Sequence, residues 1–458
     1  MKPLRPFHIA LFIWLCIALL GGVCLLWQGP IHIGQVTLRW KTLSEVMGGE
    51  KKSDLSDWSD QSDLSEESDQ SDTSEHSDSI VAPTTHVTSA QPLPILSADK
   101  SNSGAPLQAF FEALQSSRQR AVRVVHYGDS QIEEDRITYR LRRNLQEQYG
   151  GNGYGLIPLH QTIPTRTLEQ RLYINGAVQS VSGGPQRFLV YGPRSMRRED
   201  GLYGPMGQVA ELNGEDAVSM HLRPRTDKHY SENYFSRIRL LADSSITLSV
   251  GNDSLSHSGI IAVPDSTMEC NINLYGQGKV YGLSLEAPTG VIVDNIPMRG
   301  SSGAVFTQID SAQLANFYRE TNTRLIILQF GGNSLPNITN ENYIYGAVSQ
   351  LRKQVQYLKS CAPQASILFI GPSDMATSID GIMQTYPLLP LMDNLLRRMA
   401  EKEGIAYYSV YAAMGGSGSM IRWVEQGLAG ADHIHFTRAG ADKAARMLWN
   451  WMNEQWTL

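Results

Sequence analysis

Cysteine is scarce in this chain of 458 residues. There are four, and Cys16 and Cys24 fall in an apolar N-terminal run. Only Cys270 and Cys361 remain for the folded part, which excludes a disulfide framework. They are read as one possible disulfide or as two unpaired buried thiols. Clustered Lys and Arg are missing as well, which excludes a nucleic-acid-binding surface. The net charge of −6 is unevenly placed. Residues 51–79 hold ten acids against Lys51 and Lys52, a local net of −8, so the remainder is close to neutral. Outside the C-terminal pair His433 and His435, no cluster of His or Cys suggests a metal site. No cofactor is called for.

What is present begins with Ile9 to Trp27, an unbroken run of apolar residues and glycines after Lys2, Arg5 and His8. Its 19 residues suit a single membrane crossing. Positive charge before it and acid after it predict a cytoplasmic tip and an exported bulk. The alternative is a cleaved signal peptide and a secreted product. Residues 53–79 then repeat Ser-Asp/Glu-x almost every third position. Such a segment has little to bury and repels itself, so it reads as an extended spacer. The predicted organisation is a tip and anchor over 1–29, a linker over 30–105, a main folded domain from 106–160 and 287–458, and an insert over 161–286.

Ala121 to Tyr127 is β-branched and apolar, a buried strand. Gly128-Asp129-Ser130 follows at once, and Gln131 to Tyr149 carries a helical pattern, with acids first and arginines later. Ser130 therefore stands at a strand-to-helix turn, where backbone N–H groups are unpaired. A serine there is also a common helix cap. The tripeptide alone does not decide between cap and nucleophile.

A serine hydroxyl needs a base, and the base needs a carboxylate to orient it. Asp432 and His435 stand three apart on a loop before the last helix, a spacing at which a carboxylate turns back onto its own histidine. His433 is the competing base; with His435 and Asp432 it could also ligate zinc. Arg324 to Phe330 is another buried strand, leading into Gly331-Gly332-Asn333-Ser334. An amide in that loop can donate to an oxyanion. Gly290 to Asp294 is a further strand, and its exit loop contains Gly300, whose N–H is a second candidate donor; Gly303 is its rival.

These blocks resemble those of the SGNH (GDSL-type) hydrolase superfamily. The serine matches Ser130, the glycine Gly300, the Gly-x-Asn Gly331 to Asn333, and the Asp-x-x-His Asp432 and His435. Ser334 departs from the family, which often has Asp there. The resemblance implies an α/β fold, a three-layer α/β/α arrangement around a parallel sheet, with Ser130, His435 and Asp432 as catalytic triad and Gly300 and Asn333 in the oxyanion hole. Strands at 121–127, 289–294, 324–330, 366–370 and 405–410, alternating with helices near 131–149, 307–319, 342–360 and 387–403, agree with it independently.

Between the first and second blocks, segments at 208–212, 217–222, 237–241, 245–250, 269–274 and 279–286 alternate as β-strands do. They predict an inserted β-sandwich. It looks like the carbohydrate-binding-type module of bacterial peptidoglycan O-acetylesterases, with Tyr203, Tyr230, Tyr234 and Trp423 as candidate sugar-stacking groups or core. Gly150 to Gly155 reads as a loop at the cleft wall. The resemblance implies an esterase that removes O-acyl, foremost O-acetyl, groups from peptidoglycan or another envelope polysaccharide. An O-acetyltransferase using the same triad, or a glycan-binding protein with an inactive hydrolase fold, are the alternatives.

Overall fold

The computed structural model describes residues 31–33, 36–38, 105–180, 184–226, 228–338 and 340–456. The predicted anchor and nearly all of the linker lie outside these. Among the described residues no helix is long and apolar enough to cross a membrane. Ile31–Ile33 and Val36–Leu38 form a short antiparallel pair within an N-terminal unit. The second unit holds the remaining described residues.

Five parallel strands form its central sheet: β1 (Val122–Gly128), β2 (Val291–Pro297), β3 (Thr323–Gln329), β4 (Ser366–Ile370) and β5 (Ala406–Tyr408). Their spatial order is β2-β1-β3-β4-β5. All seven residues of β1 are buried. The side-chain period of two explains how. Val122 and Val124 enter one core, and Val125 and Tyr127 enter the other. Helices α1 (Gln108–Gln115), α2 (Thr138–Tyr149) and α8 (Arg438–Trp456) cover the first face, together with the short helices α6 (Val410–Met414) and α7 (Ser419–Glu425) that precede α8. Helices α3 (Ser311–Glu320), α4 (Glu341–Cys361) and α5 (Leu389–Glu403) cover the second. With both faces dry, strands read as continuous apolar runs rather than alternating ones.

The strand order reverses between β1 and β3. In an open α/β sheet, connections on either side of such a point leave to opposite faces. A crevice opens outside the carboxyl ends of the strands there. Residues that follow Gly128 and Gln329 are thus placed at its mouth by topology alone.

The intervening segment is a sandwich of two six-stranded antiparallel sheets. The first runs Gly259–Thr267, Phe235–Ala242, Gln277–Glu286, Gln208–Asn213, Gln186–Leu189, with Gly155–Ile157 also on Gln277–Glu286. The second runs Asp253–Ser256, Thr247–Val250, Cys270–Tyr275, Val218–Pro224, Leu168–Ile174, Ala177–Val178. Ile238, Leu240, Leu283 and Leu285 of one meet Met220, Leu222, Leu248 and Ile272 of the other in a shared core. Each anticipated strand is there. Those not anticipated include the edge strands Asp253–Ser256 and Gly259–Thr267, whose side chains are mostly exposed or half-exposed, so their hydrophobic alternation is faint.

Buried charge joins sandwich and sheet. Arg123 on β1 reaches Asp294 on β2 at 2.7 Å and Glu286, at the end of the sandwich's last strand. The Asp294 carboxylate also accepts the Leu156 N–H at 2.8 Å.

Two expectations change, and two open alternatives are decided. Gln131 to Tyr149 is not one helix. Ser130–Asp135 is a 3-10 segment broken by Glu134 and Asp135, both left-handed at φ 59° and 60°, and α2 starts only at Thr138. The salt bridge from Arg142 to Asp135 (2.5 Å) and the Thr167 hydroxyl on Asp135 (3.0 Å) outweigh helix propensity there. The glycines of 150–155 do not line a cleft. A Cβ on Gly151 would sit 2.4 Å from Val291 N and one on Gly153 2.2 Å from Leu285 O, so they let this loop lie against backbone at the amino end of β2. Tyr203 and Trp423 are core residues, 1% and 3% exposed, and not sugar platforms. Cys270 and Cys361 are both free and buried, one in the sandwich and the other at the end of α4.

Candidate active site

β1 ends at Gly128, whose place is tight: a Cβ there would lie 3.0 Å from Ile132 and 3.2 Å from Gln329 O. The chain then turns sharply. Asp129 N–H donates to Gln329 O (3.2 Å), and its carboxylate accepts the Gln131 N–H (2.9 Å). That cap fixes the backbone on both sides of Ser130. The Asp129 carboxyl is 6% exposed. Burial pushes its pKa up to about 6, against the opposing pull of the Gln131 N–H.

Ser130 Oγ lies 2.8 Å from His435 Nε2, across 305 positions of sequence. His435 Nδ1 lies 2.7 Å from Asp432 Oδ2. The other oxygen, Asp432 Oδ1, accepts the N–H groups of Ile434 (3.0 Å) and His435 (3.1 Å). Burial raises the Asp432 pKa, but the His435 ring and these two N–H groups reverse it, and the net shift is downward. Both ring nitrogens of His435 are thus engaged, one by the serine and one by the carboxylate. His433 is turned away by a left-handed backbone (φ 55°), and its Nδ1 meets the Ala431 carbonyl at 3.0 Å. The structure brings Ser130, His435 and Asp432 together and leaves His433 aside.

Two further loops reach this turn. After β2, Met298 N–H donates to Gly128 O (2.7 Å), and Arg299 grips Glu133 through two bonds of 2.6 Å. Gly300 follows at φ 74°, with nothing within 4 Å of where a Cβ would stand. Gly303 differs: its Cβ would meet Phe330 at 2.7 Å and Leu351 at 2.9 Å. Core packing therefore accounts for Gly303, while Gly300 borders open space. After β3, Gly331 takes φ 120°. Two residues on, Asn333 Nδ2 donates to Ser301 O at 3.0 Å, which ties the two loops together. Its second N–H and that of Gly300 have no partner among the described residues.

Two contacts were not foreseen. Glu133, 2% exposed, has in the sequence only the look of an acid in a helix's first turn, yet it anchors Arg299 beside the site. Gln131, 8% exposed, has in the sequence the look of a helix residue, yet its side chain crosses to the histidine loop and donates to Ile434 O at 2.7 Å. Neither residue carries a local signal, because each contact spans more than 160 positions.

Chemically, a hydroxyl hydrogen-bonded to an imidazole nitrogen, with a carboxylate behind the ring, is an arrangement suited to attack on a carbonyl. No protein-family model matches this sequence, and no curated protein matches it. Solved structures do. A peptidoglycan O-acetylesterase structure superposes with a TM-score of 0.61 at 22% identity, covering 76% of this chain and 96% of that one. A family two carbohydrate esterase from Cellvibrio japonicus overlaps far more loosely, with a TM-score of 0.26 at 11% identity over 63% of this chain and 99% of that one. An acetyl xylan esterase gives a TM-score of 0.28 at 12% identity over 35% and 81%. This chain, parallel sheet and inserted sandwich together, shares the fold of a peptidoglycan O-acetylesterase.

Proposed function

We propose that this protein is a serine esterase that removes O-acyl groups, foremost O-acetyl, from peptidoglycan or another polysaccharide of the cell envelope. The observation that carries this is the continuous Ser130–His435–Asp432 chain, with bonds of 2.8 and 2.7 Å. His435 Nε2 takes the hydroxyl proton as Ser130 Oγ attacks the ester carbonyl. Asp432 keeps Nδ1 protonated and stabilises the imidazolium that forms. The developing oxyanion is held by the N–H groups of Ser130 and Gly300 and the second N–H of Asn333. The imidazolium then protonates the leaving sugar oxygen. Water, deprotonated by the same nitrogen, releases the acyl group as the free acid and restores Ser130.

Support for a glycan substrate comes from the likeness in fold to an enzyme named for that chemistry. Support for action outside the cytoplasm comes from the sequence alone: the apolar run over 9–27 with its basic flank, read as a single-pass anchor. The test is acetate release from O-acetylated peptidoglycan and from acetylated xylan, beside Ser130→Ala. Release by the parent and none by the variant is expected. Equal release by both, or none from any acetylated glycan, overturns the reading. Net acetyl transfer from an activated donor to glycan, in place of hydrolysis, would make the protein a transferase.

A further inference from the structure

The histidine loop is held through its carbonyls. His433 O accepts Ala376 N–H (3.1 Å), Ile434 O accepts Gln131 Nε2 (2.7 Å), and His435 O accepts Gly430 N–H (2.8 Å). Two of these donors are backbone groups away from the nucleophile. The Gln131 amide is a side chain, and it belongs to the residue next to Ser130. A second side chain from the same segment, Arg136, reaches Phe436 O only at 3.4 Å. Gln131 is itself pinned, because its N–H is the one that caps onto Asp129. A short, rigid path therefore runs from the turn that carries Ser130 to the carbonyl one residue before His435.

The other end of this side chain is placed badly. Gln131 Oε1 is buried and has no partner among the described residues. A buried acceptor left unpaired costs stability, and an apolar side chain of the same shape would avoid that cost. The residue is therefore poorly suited to a purely structural role, and what it gains lies at its NH2 end.

We infer that Gln131 is a positioning residue that sets the Ser130–His435 distance by tying the histidine loop to the nucleophile turn. This rests on the reading of Ser130 as nucleophile and His435 as base. The ring stays within hydrogen-bond reach of Oγ as Asp432 orients it, and Gln131 prevents the loop from receding. The dependence of proton transfer on such distances is steep.

The test uses the full chain and two variants of similar volume: Gln131→Met, which keeps the shape and loses the donor, and Gln131→Leu, which also loses it. With p-nitrophenyl acetate, kcat is expected to fall about 10- to 100-fold in both while KM stays within about twofold. The rate of Ser130 labelling by a fluorophosphonate should fall in parallel, with the melting temperature held or raised for Gln131→Met. Either variant suffices should the other not fold. A kcat within about twofold of the parent in a folded variant overturns the inference with the esterase reading intact. So does a fall in melting temperature with an unchanged labelling rate, which marks a structural role. A parent that neither labels nor hydrolyses, or a Ser130→Ala variant as active as the parent, overturns the esterase reading and this inference with it.

Discussion

Asp432 holds His435 from two sides, its Oδ2 on the ring nitrogen at 2.7 Å and its Oδ1 on the same residue's backbone N–H at 3.1 Å. One carboxylate thereby sets both the rotation of the ring and the path of the loop beneath it. Replacement by an amide splits these effects. In Asp432→Asn an amide oxygen on the backbone side keeps the loop, and the NH2 faces Nδ1 and forces the wrong tautomer. Ester hydrolysis should fall by about 10³- to 10⁴-fold with little change in stability. Steady-state kinetics beside a denaturant titration checks this, and a loss below tenfold would remove Asp432 from the role given to it.

Asp129 makes stability depend on pH in an unusual direction. Its pKa is raised to about 6 by burial, above its ordinary value of 3.8. Between those values the folded protein holds a proton that the unfolded chain releases. Stability from this group is present below the lower value and declines as pH rises through the upper one. The cost at pH 7 is on the order of 3 kcal/mol. Asp129→Asn keeps an acceptor for Gln131 N–H and cannot ionise. Its stability relative to the parent should therefore improve from pH 4 to pH 7. Urea titrations at the two pH values measure the gap; a gap independent of pH would show that Asp129 ionises normally.

The junction of sandwich and sheet rests on a cation with no water around it. Arg123, Asp294 and Glu286 are 0%, 0% and 1% exposed. Arg123→Met leaves Asp294 buried without a cation and Glu286 with Arg239 alone, and should destabilise by about 3–5 kcal/mol. Thermal or chemical unfolding gives the value directly. A loss under about 1 kcal/mol would mean that water or protonation replaces the guanidinium at little cost.

Gly440, in the first turn of α8, lies against the chain that leads into the histidine loop. A Cβ there would fall 1.8 Å from Leu428 O, a backbone atom with no freedom to rotate aside. Gly440→Ala should therefore push α8 off residue 428, costing about 1–3 kcal/mol, and shift His435 with it. Both melting temperature and turnover are expected to fall. Full activity in a folded Gly440→Ala protein would show that the loop does not depend on this contact.

The central sheet was legible because its strands are buried on both faces. Continuous apolar runs at 324–330 and 366–370 mark such strands without reference to anything distant. The sandwich was half legible for the converse reason. Its inner strands alternate, whereas edge strands such as Asp253–Ser256 have little apolar pattern to show. The break at Glu134 and Asp135 was hidden, since both are ordinary in a helix and the groups that hold them, Arg142 and Thr167 on Asp135 and the Arg166 N–H on the Glu134 carbonyl, are brought in by folding.

For the site, the sequence by itself marked the residues proposed to carry the chemistry. Asp432 and His435 are near neighbours, so their pairing is a local matter of loop geometry. Ser130, Gly300 and Asn333 each follow a strand, and strand ends can be read from the chain. What the tertiary structure alone decided is which of these meet. The order β2-β1-β3 sets the exits of the three strands side by side, and the return of the chain at residue 435 delivers the imidazole to Ser130. Only the fold separates Gly300 from Gly303, by filling the space beside one and leaving it open beside the other. Only the fold gives Gln131 its carbonyl. Local order in a chain follows from spacing, but contact between residues hundreds of positions apart follows from how layers pack, and no local pattern records it.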